Sequence, residues 1–221
     1  LEKYSKLKSI PVERIFAYAS QWYPFSKSFG LLISTFFALV VERVRVSEED
    51  QPELEKLAQR LAYIAVDDLG LFRGADGSMQ ESVFHSRMYY DMCQKLGDVR
   101  NQKLEPETEE ICRLGEELCR NYPGGLSAIR VVEGIAHSIM EHQLPLFLAA
   151  ERDGKKVYEK DQLGYINLHL EIEGEHARES TQLIQMYLDM GGDKALIETQ
   201  VSDFSRAIGS FWKMMGRVTT E

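Results

Sequence analysis

The sequence predicts an all-α protein folded as a helical bundle, and three observations lead there. Apolar residues recur at spacings of three and four along most of the 221 residues, strand-like alternation is absent throughout, and the six prolines fall mostly where helices should begin or bend. Pro11 opens a first predicted helix that runs through Gln21. Phe29 to Arg45 forms a second, ended before Ser47-Glu-Glu-Asp50. Pro52 lies in the first turn of a third, whose inner stripe is Leu54, Leu57, Ala58, Leu61, Ala65 and Asp68. A glycine-bearing connector, Gly70 to Gly77, breaks the chain. A fourth helix is expected from Met79 to Leu96 and a fifth from Pro106 to Cys119. Asn121-Tyr-Pro-Gly-Gly125 reads as a plain turn. Two long helices follow, Leu126 to Ala150 and Glu159 to Met190, and a last one spans Lys194 to Met215. With short connections and no repeat or low-complexity stretch, the expectation is a single helical domain over residues 1–221.

Composition narrows the function classes. Hydrophobic residues make up 44% and charged residues 28%, ordinary values for a soluble globular protein. The longest apolar stretch, Phe29 to Val41, is too short for a membrane span and reads as a buried helix. The start, Leu1-Glu-Lys-Tyr4, lacks a signal-peptide pattern, and its lack of Met reads as a trimmed N-terminus. A net charge of -9 without a basic stripe gives nucleic acid no electrostatic footing. Cys93, Cys112 and Cys119 form no CxxC pair, and their odd number argues against a disulfide framework, so a reducing, cytoplasmic setting is expected.

The informative residues in a bundle are ionisable ones on an apolar stripe. On the seventh predicted helix, His169, Glu173 and His176 share the face of Tyr165, Leu168, Ile172, Leu183, Ile184 and Tyr187. At ~100° per residue, offsets of four and seven place the three within about 60° of one another. Glu171, Glu175 and Glu179 point outward as solvated charges. Two imidazoles and a carboxylate buried without partners would cost several kcal/mol, so something must compensate them. Other helices supply candidates. Glu133 is in line with Ile129, Val132, Ala136 and Met140, while Glu81 and His85 share a face with Met88, Met92 and Leu96. Asp68 ends the inner stripe of the third helix. His137, one turn after Glu133, reads chiefly as a hydrogen-bonded support, with ligation as an alternative. Carboxylates and imidazoles converging from several helices suit iron or manganese. The bland alternatives are a solvated helix face for the histidine motif and a buried acid paired with Arg130 or His137 for Glu133.

These residues carry a resemblance. Gln21-Trp-Tyr-Pro-Phe-Ser-Lys-Ser-Phe29, Asp67-Asp-Leu-Gly70, His85-Ser-Arg-Met-Tyr89 with Leu96-Gly97, Leu126 to Ala136, and His169-x3-Glu173-x2-His176 together resemble the haem-oxygenase-like diiron oxidases, relatives of the PQQ-synthesis oxidase and of thiaminase-type helical proteins. The resemblance implies two Fe ions cycling between Fe2+ and Fe3+, with O2 as cosubstrate. It also implies ligands at Glu81, His85, Glu133, His169, Glu173 and His176. Where the family usually places a glutamate seven residues before its first histidine, this chain has Ser78. Glu81, one helical turn before His85, is the preferred substitute, and Asp68 across the connector is the rival. Glu173 stands where aspartate is commoner.

The implied activity is a non-haem diiron oxidase or oxygenase acting on a small organic molecule, an amino acid, amine or fatty acid, in a specialised biosynthetic pathway. The expected partner is that substrate, with an external electron donor and a homodimer as open alternatives and neither nucleic acid nor membrane. Two other classes stay open. One is a metal-free oxidase or thiaminase-type hydrolase, the latter needing a nucleophile such as Cys93; the other is a non-catalytic metal-binding helical protein. Haem oxygenase itself is least favoured, because no histidine lies on the first helix to serve as axial ligand.

Overall fold

A computed structural model describes residues 9–46, 51–73, 79–81 and 83–219. Among them run seven α-helices: α1 (Val12–Val46), α2 (Gln51–Asp68), α3 (His85–Cys93), α4 (Pro106–Leu118), α5 (Tyr122–Leu148), α6 (Gly164–Asp189) and α7 (Lys194–Val218). The all-α expectation holds. The buried apolar side chains form one contiguous cluster reaching from Ile10 to Met215, and α5 packs most extensively on α6. Among the described residues no helix is long and apolar enough to cross a membrane.

The first two predicted helices are one. Helix α1 continues unbroken through Pro24 for 35 residues. The missing N–H and the ring of an internal proline cost about 3 kcal/mol. Here the buried stripe Ile15, Tyr18, Ala19, Trp22, Phe25, Phe29, Ile33, Phe36 and Val40 runs straight past it. Trp22 and Phe25 pack against each other and against Phe211 of α7, so breaking α1 at Pro24 would dismantle the aromatic core on both sides of it.

The expected turn at Asn121-Tyr-Pro-Gly-Gly125 is instead the start of α5. The Asn121 side chain accepts from the backbone N–H of Gly124 (2.8 Å), and Pro123 occupies the first turn, where its missing N–H costs nothing. Helix α6 begins later than expected, at Gly164, after a short 3-10 turn at Lys160–Gln162.

Strands are present, contrary to the sequence reading, but they are two or three residues long, too short to leave an alternating pattern. Ile10–Pro11 (β1) pairs in parallel with Ala150–Arg152 (β4), which pairs antiparallel with Lys155–Lys156 (β5). Leu71–Arg73 (β2) pairs antiparallel with Met79–Glu81 (β3), Leu71 facing Glu81. This second pair overturns the predicted helix from Met79: the helix starts at His85. Residues 74–78 of the expected connector, Ser78 among them, lie outside the described residues. Gly70, at φ +84°, ends α2 in a left-handed conformation that favours glycine. The pairing of β2 with β3 then returns the chain so that the start of α3 lies beside the end of α2.

Gln21, buried on α1, ties that helix to the approach to α4. Its Oε1 accepts from Thr108 Oγ1 (2.7 Å) and from the Glu105 backbone N–H (2.9 Å), and its Nε2 donates to the Lys103 carbonyl (3.0 Å). Because Thr108 is fully buried, a Gln21→Leu exchange strands its hydroxyl. The expected loss is about 2 kcal/mol in urea unfolding with no change in helix content by circular dichroism.

Candidate metal centre

Helix α6 presents Tyr165, Ile166, His169, Glu173, His176, Ser180 and Leu183 to the interior. The three ionisable residues therefore lie in the middle of the buried stripe, 2–6% exposed. Leu168 and Ile172 are only half-buried, at its edge; Glu171 and Glu175 are exposed. Glu179 is not simply solvated: its carboxylate meets Arg60 of α2 at 2.6 Å and ties the two helices together.

Glu133 enters from α5, buried between Val132 and Ala136. His137 does not enter. The inner face of α5 follows positions 129, 132, 136 and 140, and His137 stands past its edge, 47% exposed and 3.6 Å from Glu141. This removes it both as a ligand and as a core support. Asp68 comes from the last turn of α2 and His85 from the first turn of α3, with Nδ1 of His85 3.2 Å from Oδ1 of Asp68. Asp68 is thus the carboxylate brought to His85. The premise for Glu81 fails, because Glu81 sits on β3 rather than a helical turn before His85; its side chain is outside the described residues.

Two groups of donors result. Asp68, His85 and His169 form one, Glu133, Glu173 and His176 the other, and within each group the donor atoms lie within 4.8 Å of one another. Glu173 joins them. Its Oε1 is 3.8 Å from Nε2 of His169, and its Oε2 is 3.9 Å from Nδ1 of His176. The His85 and His169 rings meet at 4.7 Å between centroids. Nδ1 of His176 is also 3.4 Å from Glu133 Oε2.

Tautomers follow from the hydrogen bonds. Nδ1 of His169 lies 2.8 Å from the Tyr165 carbonyl, which can only accept, so Nδ1 carries the proton and Nε2 presents its lone pair to the site. Burial, reinforced by the neighbouring His85, pushes the His169 pKa down to about 3, which keeps that lone pair free. For His176 burial works against the charged form, but Asp67 and Glu133 outweigh it and hold the imidazole protonated well above its usual range. Burial and then the charge of Glu133 push the Glu173 carboxyl well above its usual range.

Asp67 is the residue that sequence reasoning missed. It is 4% exposed, with Oδ2 3.1 Å from Nε2 of His176, on the side of the ring away from Glu133 and Glu173. A carboxylate there fixes the ring and strengthens Nδ1 as a donor. The signal was available: Asp67 precedes Asp68 at the end of a buried stripe, and its neighbours at offsets of three and six, Ile64 and Leu61, are fully buried.

The site is short of partners as it stands. Both ring nitrogens of His85, Nε2 of His176, Oδ2 of Asp67 and Oε2 of Glu173 are buried without a hydrogen bond, the close His85–Asp68 and His176–Asp67 approaches being misaligned for one. A buried polar atom left with no partner costs about 1–3 kcal/mol, a cost that the Asp67 and His176 charges partly offset for each other at 3.1 Å. Four carboxylates (Asp67, Asp68, Glu133, Glu173) around three imidazoles match the charge of two divalent cations. Two buried groups of this make-up could hold metal ions. Oxygen and imidazole donors without thiolate fit a hard-to-borderline metal.

A cavity of about 60 Å³ adjoins the donors. Phe25, Phe29, Val132, Ile139 and Met140 form its apolar wall, Asp68, His85, Glu133, His169 and Glu173 its polar one, and Lys27, Leu31 and Phe84 line its outer part. Cys93 is not among the lining residues. It is fully buried, and burial pushes its thiol far above the usual range, which removes it as a nucleophile.

No model of a known protein family matches the chain, and no curated protein does. Among solved structures, a CADD-like protein of unknown function from Nostoc punctiforme matches 97% of this chain and 85% of its own, with a TM-score of 0.64 and 14% identity. At that identity the likeness is one of fold.

Two outcomes are expected. In metal-free protein, Glu173 and His176 hold protons that the unfolded chain releases above about 4.5 and 6.5, so stability falls as pH rises past 6.5 toward their folded values. His169 acts oppositely, but only between about 3 and 6.5. Urea unfolding from pH 6 to 9 should show this decline, and adding a divalent metal in weak buffer at pH 7 should release protons; a flat profile and no release would contradict the assignment. An Asp67→Asn exchange should weaken divalent-metal binding by about 10–100-fold without unfolding the protein, as read by competition with a chromophoric chelator.

Proposed function

We propose that the protein is a non-haem diiron oxidase or oxygenase that uses dioxygen to transform a small, largely apolar organic molecule. One observation carries this reading: two buried donor groups joined by a single carboxylate, Glu173, border an apolar cavity. The resemblance of the His169-x3-Glu173-x2-His176 segment to haem-oxygenase-like diiron oxidases supports it, as does the fold shared with the CADD-like protein.

Asp68, His85 and His169 would hold one iron, and Glu133, Glu173 and His176 the other, with the Glu173 carboxylate lying between His169 and His176. When bound, the iron pair supplies redox chemistry toward dioxygen. The rest falls to the chain. Asp67 orients His176, and the Tyr165 carbonyl orients His169. Carboxylates favour the more oxidised metal because their charge offsets its own, and Glu173, whose carboxyl burial and Glu133 push upward, would release any proton it holds when it binds as the carboxylate. The aromatic and aliphatic wall keeps water from the reacting atoms and receives an apolar substrate. Lys27, the one lysine or arginine among the described residues lining this cavity, stands at its exposed rim, where it would meet an anionic group of the substrate.

Anaerobic titration with ferrous iron tests the reading. Binding should saturate at about two ions per chain, and the loaded protein should consume dioxygen when a turned-over substrate is added. His169→Ala and His176→Ala should each lower the stoichiometry. A chain that binds no iron with both histidines intact sinks the proposal.

A further inference from the structure

Ile139 of α5 lines three separate spaces, and their order crosses the bundle. One is the cavity at the donor groups. The second is a void of about 10 Å³ enclosed by Trp22, Phe25, Val132, Ile135, Ile139 and Ile208, with Ile111, Phe211 and Trp212 completing it. The third is a surface pocket of about 300 Å³ between α5 and α7, floored by Val131, Ile135, Ile139, Ile208 and Trp212 and rimmed by Ser138, His142 and Ser205. Trp22, Phe25, Val132 and Ile139 are shared by the first two spaces; Ile135, Ile139, Ile208 and Trp212 are shared by the last two. The apolar spaces thus follow one another from solvent to the donors, through an opening lined by neither Leu31 nor Phe84.

We infer that this seam between α5 and α7 is the entry route for dioxygen. The size and lining of the middle void choose the occupant. A space of about 10 Å³ holds a single molecule about the size of water, which excludes an organic substrate. A water there would need two to four polar partners, whereas every lining side chain is aliphatic or aromatic, and their polar atoms, the indole N–H groups of Trp22 and Trp212, can only donate. A diatomic apolar gas loses nothing by leaving water for such a wall. Substrate and dioxygen would then arrive from different sides, so a bound substrate filling the front does not block the gas. This role in turnover rests on the dioxygen-using reading above; the route itself does not.

The only two tryptophans of the chain, Trp22 and Trp212, both line the void. In a Trp212→Phe background, the phosphorescence lifetime of buried Trp22 in metal-free protein therefore reports dioxygen reaching that point. Ile135 is half-buried at the floor of the surface pocket, so Ile135→Phe has room to grow outward and should lower the bimolecular quenching constant several-fold. Ile139→Ala should raise it several-fold. Phe84→Ala, at the front of the cavity, should leave it unchanged. An unchanged constant in Ile135→Phe or Ile139→Ala overturns the route, and so does a response to Phe84→Ala as large as that to Ile135→Phe. Because no metal is present, a site that binds no iron and a seam that admits no dioxygen fail in separate experiments.

Discussion

The structure depends on one constraint: four carboxylates and three imidazoles converge inside a helical bundle that offers them too few hydrogen-bond partners. Unsatisfied buried polar atoms cost about 1–3 kcal/mol each, against a margin of about 5–15 kcal/mol for a whole domain. The metal-free chain answers with protons, held on Glu173 and His176 well above their ordinary ranges. Two cations would answer the donors of both groups together, while Asp67 and Nε2 of His176 answer each other. The same arrangement thus penalises the empty fold and would favour a loaded one, the trade that binding sites make against stability.

Much of the arrangement was legible in the sequence, for a physical reason. Ionisable residues at helical spacing within an apolar stripe must be buried, and His169, Glu173, His176 and Glu133 are. What escaped depends on contacts distant in sequence. The carboxylate beside His85 was open between Glu81 and Asp68 because the answer lies in the short pairing of β2 with β3. His137 failed for a subtler reason: four residues past Glu133 advances about 40° around the helix, enough to leave a stripe whose centre runs on the other side. The break expected between Gln21 and Phe29 followed local proline chemistry, which an aromatic core on both sides of Pro24 overrides.

The bundle also divides its labour by face. Helices α2, α3, α5 and α6 supply the donors, so that side is held by hydrogen bonds, ion pairs and cation demand. Helices α1 and α7, with the other face of α5, supply Trp22, Phe25, Ile208 and Phe211 and stay apolar. The cavity lies where the two meet, and α5 belongs to both: Glu133 faces the donors while Ile135 and Ile139 face the seam. A change on the apolar side should therefore alter access without altering metal affinity, and a change among the donors should do the reverse.

The central claim is that two ions occupy adjacent sites in the core. The most direct test is a crystal structure of protein loaded anaerobically with ferrous iron, with data on both sides of the iron absorption edge. Two anomalous peaks are expected, one among Asp68, His85 and His169 and one among Glu133, Glu173 and His176, with a Glu173 oxygen facing each. Peaks confined to surface carboxylates, or a loaded core whose histidines point away from the metal, would contradict it.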